Sequence, residues 1–106
     1  MAIEYRIEYI STFYFDVLDV ESNLKEYPQK AKRLFEKLDS KLLYLVEHPE
    51  MYPIYDDFPA FRRVVIEDYL VFYSINDNII EIHRLICGRM NVIEQLGGDS
   101  YQWNGH

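Results

Sequence analysis

Residues 60 to 87 read AFRRVVI, ED, YLVFYSI, NDN and IIEIHRLIC in succession. Three runs rich in β-branched and aromatic residues, separated by two very short polar breaks, predict three strands joined by tight turns. Asn and Asp tolerate the positive φ that a two-residue hairpin requires, so NDN is the stronger of the two turn signals. Strands linked this closely can only pair as an antiparallel meander. A meander of this size needs a second layer to bury one of its faces.

The preceding half of the chain supplies that layer. IEYRIEYI (residues 3–10) predicts a first strand. Ser11 or Thr12 then suits a helix N-cap, and Phe13, Val17, Val20 and Leu24 follow at helical spacing. Asp16 and Asp19 fall in the early turns, where a helix dipole favours anions. Pro28 breaks this helix and suits the first position of another. From Ala31 through Leu34, Phe35, Leu38, Leu42, Leu45 and Val46 a wide apolar stripe predicts a long amphipathic helix, ended by His48-Pro49. Lys30, Lys32, Arg33, Lys37 and Lys41 read as its solvated side. EMYPIYDDFP (50–59) reads as an irregular loop, and RMNVIEQL beyond Gly88 as a last short helix. The expected fold class is α+β in the order β-α-α-β-β-β, with a helical hairpin packed on a small curved antiparallel sheet. Residues 1–96 form the expected single domain, and 97–106 a flexible tail. The sheet face opposite the helices is expected to be bare and open to a ligand.

Composition narrows the function. Nearly half of the 106 residues are apolar (49%) and 16% are aromatic, enough for a packed core. The net charge is −7. Residues 1–41 carry seven Lys and Arg against eight Asp and Glu, whereas residues 42–106 carry four against ten. Phosphate backbones repel such a surface, which argues against nucleic acid as the main ligand. One cysteine, Cys87, excludes an internal disulfide framework and suits a reducing cytoplasm. Cys87 is expected to be a buried structural thiol. His48, His83 and His106 lack ligand spacing, so neither a metal nor another cofactor is expected. No signal peptide or apolar run of membrane-spanning length is expected either, and no membrane partner.

Against this acidic background four arginines gather in the strand region: Arg62, Arg63, Arg84 and Arg89. Glu67, Asp68, Glu81 and Glu94 are available to pair with them. Alternation places Glu81 and His83 on one face of the last strand and Ile80, Ile82 and Ile86 on the other. Arg84 shares the isoleucines' parity, so it must be buried and paired, or a bulge must intervene. His83 reads as a partly exposed strand residue beside Glu81. Tyr69, Phe72 and Tyr73 read as cross-strand packing, because no cation lies between the rings to hold a phosphate chain.

The strand, the helical hairpin ending in proline, and then FRRVVIEDYLVFYSINDNIIEIHRLICGRMNVIEQL resemble the RelE/ParE toxin superfamily of bacterial toxin–antitoxin and plasmid-stabilisation modules. The likeness covers residues 3–96 and is densest at the arginine pair, the Tyr69–Tyr73 strand and Gly88-Arg89. It implies a small cytoplasmic toxin held inactive by a cognate antitoxin protein. ParE-like members of the superfamily inhibit DNA gyrase; RelE-like members cut mRNA, often on the ribosome.

Metal-free RNA cleavage needs a base, cations at the scissile phosphate and an acid for the leaving oxygen. The resemblance supplies Arg62 or Arg63 and Arg89 for such a role, and His83, whose unperturbed pKa is near neutrality, is a candidate base; Arg63, His83 and Arg89 are the residues such a nuclease would use. Other family positions are altered: Leu70 stands where an arginine is expected, Leu96 near the place of a C-terminal tyrosine, and Cys87 where many relatives carry histidine. Tyr101 and His106 lie further along, in the tail. The expectation is therefore a ParE-like toxin that binds a protein target, with gyrase as the family-based guess. RNA and the ribosome rank behind it, and a decayed toxin that only binds antitoxin is a third reading. The expected binding residues are Arg62, Arg63, Tyr69, Tyr73, His83, Arg84 and Arg89, facing acidic groups of the partner. The oligomeric state is left open.

Overall fold

The computed structural model describes residues 3–89 and 92–96. In chain order the elements are β1 (Arg6–Tyr9), α1 (Ser11–Asn23), α2 (Pro28–Glu47), β2 (Arg62–Ile66), β3 (Tyr69–Asn76), β4 (Ile79–Cys87) and α3 (Val92–Gln95). Pro28 opens α2 at its first turn, where the missing N–H costs nothing. Leu34, Leu38, Leu42 and Leu45 are the buried stripe of α2, each contributing about 1.5–3 kcal/mol.

The meander forms as expected. Ile66 pairs with Tyr69, and Asn76 with Ile79, so each hairpin has a two-residue loop. Glu67 and Asp77 both adopt a φ of 55° at these tips. At the far end of β4 the Gly88 amide donates to the Asp68 carbonyl at 2.7 Å, and a Cβ there would meet that oxygen at 3.3 Å.

The sheet is mixed rather than wholly antiparallel. Its order is β1-β4-β3-β2, and β1 pairs with β4 in parallel. The helical hairpin is a crossover that brings β2 back in the direction of β1. A three-stranded meander then returns β4 in that same direction, so β1 can only join β4 as a parallel neighbour.

The main core lies between the helices and one sheet face, formed by Phe13, Val20, Leu34, Leu38, Val71 and Ile80 among others. The opposite face is not bare. Phe72, Ile86 and Leu96 are buried there under Tyr55, Phe58 and Phe61. The loop after α2 folds back over the middle of the outer face, because Tyr55, Phe58 and Phe61 need cover that solvent cannot provide, while Tyr52 packs on the helix-side core.

A register shift between Phe72 and Tyr73 makes His83 the extra residue of a β-bulge, with Phe72 opposite Arg84 and Tyr73 opposite Ile82. The bulge reverses the parity of β4. Ile80, Ile82 and Leu85 therefore reach the helix-side core, while Ile86 crosses to the outer cluster. Cys87 is half-buried at the strand's end rather than fully enclosed.

Candidate functional site

The arginines expected to converge are distributed over separate structural tasks. Arg62 shares the helix-side parity of Val64, and its guanidinium donates to the carbonyls of Tyr52 (2.8 Å) and Glu50 (3.2 Å). Tyr73, opposite it and fully buried, donates its hydroxyl to the Pro49 carbonyl at 2.8 Å. Burial pushes the Tyr73 phenol up to about 12, with Arg62 beside it pulling the other way. Together they tie down the exit of α2. Tyr69 packs against the helix-side core, and burial raises its pKa.

Arg84 closes a different junction. Asp16, on the buried side of α1, receives its Nε at 2.6 Å and its second guanidinium nitrogen at 3.1 Å. The same carboxylate accepts the Leu85 amide at 2.9 Å. Arg84 also donates to the Gln95 carbonyl, linking α3 to the pair. Thr12 donates its hydroxyl to the His83 carbonyl at 2.7 Å, and α1 has no side-chain cap, its N-cap being Ile10. Thr12 and Asp16 thus serve the strand edge rather than the helix terminus. β1 ends opposite Ile82, and beyond it these α1 side chains stand in for the missing strand.

Arg63 and His83 do lie on the outer face, on either side of Phe72. Arg63 sits over the Tyr55 ring at 5.2 Å; Tyr55 meets Phe72 edge-on at 5.2 Å; Phe61 contacts Phe72 and, at 4.9 Å, the His83 imidazole. His83 Nε2 lies 2.8 Å from the Ser74 hydroxyl, which also donates to Glu81 at 3.4 Å. Burial pushes the imidazole below its ordinary pKa, and Glu81 opposes that shift. When the serine proton faces Glu81, Nε2 is the donor to serine and the imidazole's lone pair lies on Nδ1. Arg89 is far from this group. It pairs with Asp68 at 3.2 Å, both well exposed, at the β2–β3 hairpin. Asp68 is four residues from Phe72, about 13 Å along an extended strand.

The α2 cations are largely solvated, although Lys37 (2.8 Å) and Arg33 (3.6 Å) both grip Glu67. The Lys37 hydrogen bond holds that carboxyl below its usual range. Tyr101, His106 and the rest of 97–106 lie outside the described residues, as do Met90 and Asn91. Among the described residues no helix is long and apolar enough to cross a membrane.

Sequence reasoning missed Asp16 as the partner of Arg84. The signal was present: an acidic residue at the spacing of Phe13 and Val20, on the buried side of α1.

A helical hairpin on a mixed four-stranded sheet, with a small outer aromatic cluster, defines a RelE/ParE-type toxin fold. The sequence profile of the ParE toxin of the type II toxin–antitoxin system parDE matches residues 16–92. The chain belongs to this family of toxins. A chain of the chromosomal ParDE toxin–antitoxin system from P. aeruginosa superposes with a TM-score of 0.68 at 13% identity, covering 81% of this chain and 98% of that one. A chain of the E. coli DinJ–YafQ toxin–antitoxin complex superposes at 0.54 with 19% identity, covering 80% and 93%. At these identities the likeness is one of fold. No curated protein sequence matches the chain.

Proposed function

We propose that this chain is a toxin that acts by binding a protein target, with DNA gyrase the family-based choice, and that a cognate antitoxin protein neutralises it in the cytoplasm. One observation carries the preference for binding over RNA cleavage: Arg63, His83 and Arg89 do not converge. Arg89 is held at the hairpin tip by Asp68, and the space between Arg63 and His83 is filled by Tyr55, Phe61 and Phe72. A nuclease must present its proton-transfer and phosphate-binding groups within hydrogen-bonding reach of one sugar–phosphate unit. The antitoxin follows from the family, and from the fold shared with the ParDE system and the DinJ–YafQ complex.

Controlled expression of the chain without its neighbouring genes tests this reading. Growth arrest with relaxed plasmid DNA and intact transcripts is the expected result. Discrete mRNA breaks that disappear in Arg89→Ala would instead establish the ribonuclease. Arrest with normal supercoiling would remove gyrase as the target.

A further inference from the structure

Arg62, Arg84 and Arg89 are each engaged within the chain, so the cations left for a partner stand elsewhere, on α2. Lys30, Arg33, Lys37 and Lys41 recur at three- and four-residue intervals, and Tyr44 continues the series. All five therefore share one side of the helix. From Lys30 to Tyr44 the stripe is about 21 Å long. Lys30 and Lys41 have no ion-pair partner among the described residues; Lys41 sits over the Tyr52 ring at 5.8 Å.

The stripe is one wall of a groove. The other wall is the β2–β3 hairpin at one end and the start of the loop after α2 at the other. Two cavities, of about 330 and 550 Å³, open along it. The first lies between Lys30 and Arg33 and the hairpin residues Glu67, Asp68 and Tyr69. The second lies between Lys37, Lys41 and Tyr44 on the helix and Met51 and Tyr52 on the loop. Tyr44 is 51% exposed and Met51 46%, so this second cavity offers apolar surface to the outside. Glu67 links the two: it receives Lys37 at 2.8 Å and lies 3.6 Å from Arg33. The chain's own carboxylate thus already occupies the middle of the cationic stripe. Asp68, the other acid lining these cavities, is held by Arg89 at 3.2 Å.

We propose that this groove seats an extended acidic segment of the target protein, about six or seven residues long. Its carboxylates meet Lys30 and Lys41 and, by displacing Glu67, also Arg33 and Lys37. An apolar side chain among them enters the cavity lined by Tyr44, Met51 and Tyr52. Charge complementarity selects this partner, because the groove gathers four cations on a molecule of net charge −7. A nucleic acid fits less well. A phosphate chain longer than the stripe runs onto an acidic surface, since residues 42–106 carry four Lys and Arg against ten Asp and Glu. The proposal rests on the protein-target reading for the identity of the partner. The acidic groups expected to face the strand arginines are met by α2 instead.

A titration of the full chain tests it, read by amide and methyl NMR. The probes are a peptide of about seven residues, glutamate with one central leucine, the same peptide with lysine for glutamate, and a single-stranded oligonucleotide of about seven nucleotides. The glutamate peptide should bind at least about tenfold tighter than either other probe, with shifts at Ser40, Tyr44, Met51 and Tyr52, and should weaken as salt is raised. Lys30→Gln/Lys41→Gln should weaken it at least about threefold while the spectrum stays folded. Glu67→Gln, which frees Arg33 and Lys37, should tighten it about threefold. Equal binding of the two peptides, tighter binding of the oligonucleotide, shifts confined to another surface, or no binding would overturn the proposal. So would a Glu67→Gln chain that binds no tighter, or shifts in the free chain that depend on its own concentration. On expression, Lys30→Gln/Lys41→Gln should permit growth under induction that arrests the wild-type chain; arrest that persists would overturn the assignment of the segment to the target. A wild-type chain that arrests nothing removes the target, and with it the identity of the partner, while the titration separately decides what the groove takes.

Discussion

The edge of β4 and the edge of β1 are neighbours in the same sheet, yet the chain treats them in opposite ways. Along β4 beyond Ile82, α1 supplies a hydroxyl and a carboxylate to the strand's backbone, and Arg84 neutralises that carboxylate. Along β1, Ile7 and Tyr9 present backbone groups that are unpaired among the described residues, beside exposed apolar side chains. A strand edge closed by buried polar groups is part of the fold's stability; one left open beside an apolar groove is available for a partner. The difference explains why charged residues on this protein cannot be read as a binding face from their sequence density alone.

The largest effect should come from the closed edge. Asp16→Ala leaves a guanidinium and the Leu85 amide without their carboxylate in a largely buried setting, and should cost about 3 kcal/mol in denaturant unfolding. Asp16→Ala combined with Arg84→Met should cost clearly less than the two single changes added together. A loss under about 1 kcal/mol for Asp16→Ala would mean that α1 does not close that edge.

Arg62→Ala removes the donor to two loop carbonyls near the β2 edge. About 2 kcal/mol is the expected loss, measured the same way. At the open edge the effect on stability should nearly vanish. Leu43→Lys alters a side chain that is 75% exposed, so the unfolding free energy should change by less than about 0.5 kcal/mol. Arg89→Ala should likewise leave stability within about 1 kcal/mol, since its pair with Asp68 is solvent-exposed.

The smallest expected effect concerns pH, at the bulge where the closed edge begins. The folded-state pKa of His83 is depressed by burial, so the unfolded chain binds its proton more readily. The neutral imidazole's contribution is present above its unfolded pKa of about 6.5 and declines as pH falls through that value toward the folded pKa. The unfolding free energy of the native chain should therefore fall more steeply below about pH 6.5 than that of His83→Gln.

Much of the fold was legible because it rests on local periodicity. The leucine stripe of α2 and the Asn76-Asp77-Asn78 turn state their geometry within a few residues. The parallel docking of β1 onto β4 was not, because it follows from the path of the helical hairpin rather than from any residue of β1. The bulge at His83 was anticipated only as one of two ways to accommodate Arg84; the structure uses both, a bulge and an ion pair. The site was less legible still. Arg62, Arg84 and Arg89 look alike in sequence, but their partners lie respectively 10, 68 and 21 residues away. Pairing over such separations depends on tertiary packing. The aromatic cover of the outer face, likewise, was hidden in a loop that has no regular period.

Amide hydrogen exchange on the full chain tests the contrast of the two edges most directly. In the free chain the Leu85 amide, bonded to Asp16, should exchange on the order of a thousandfold more slowly than those of Ile7 and Tyr9. Ile7 and Tyr9 amides that exchange as slowly as that of Leu85 would contradict the account.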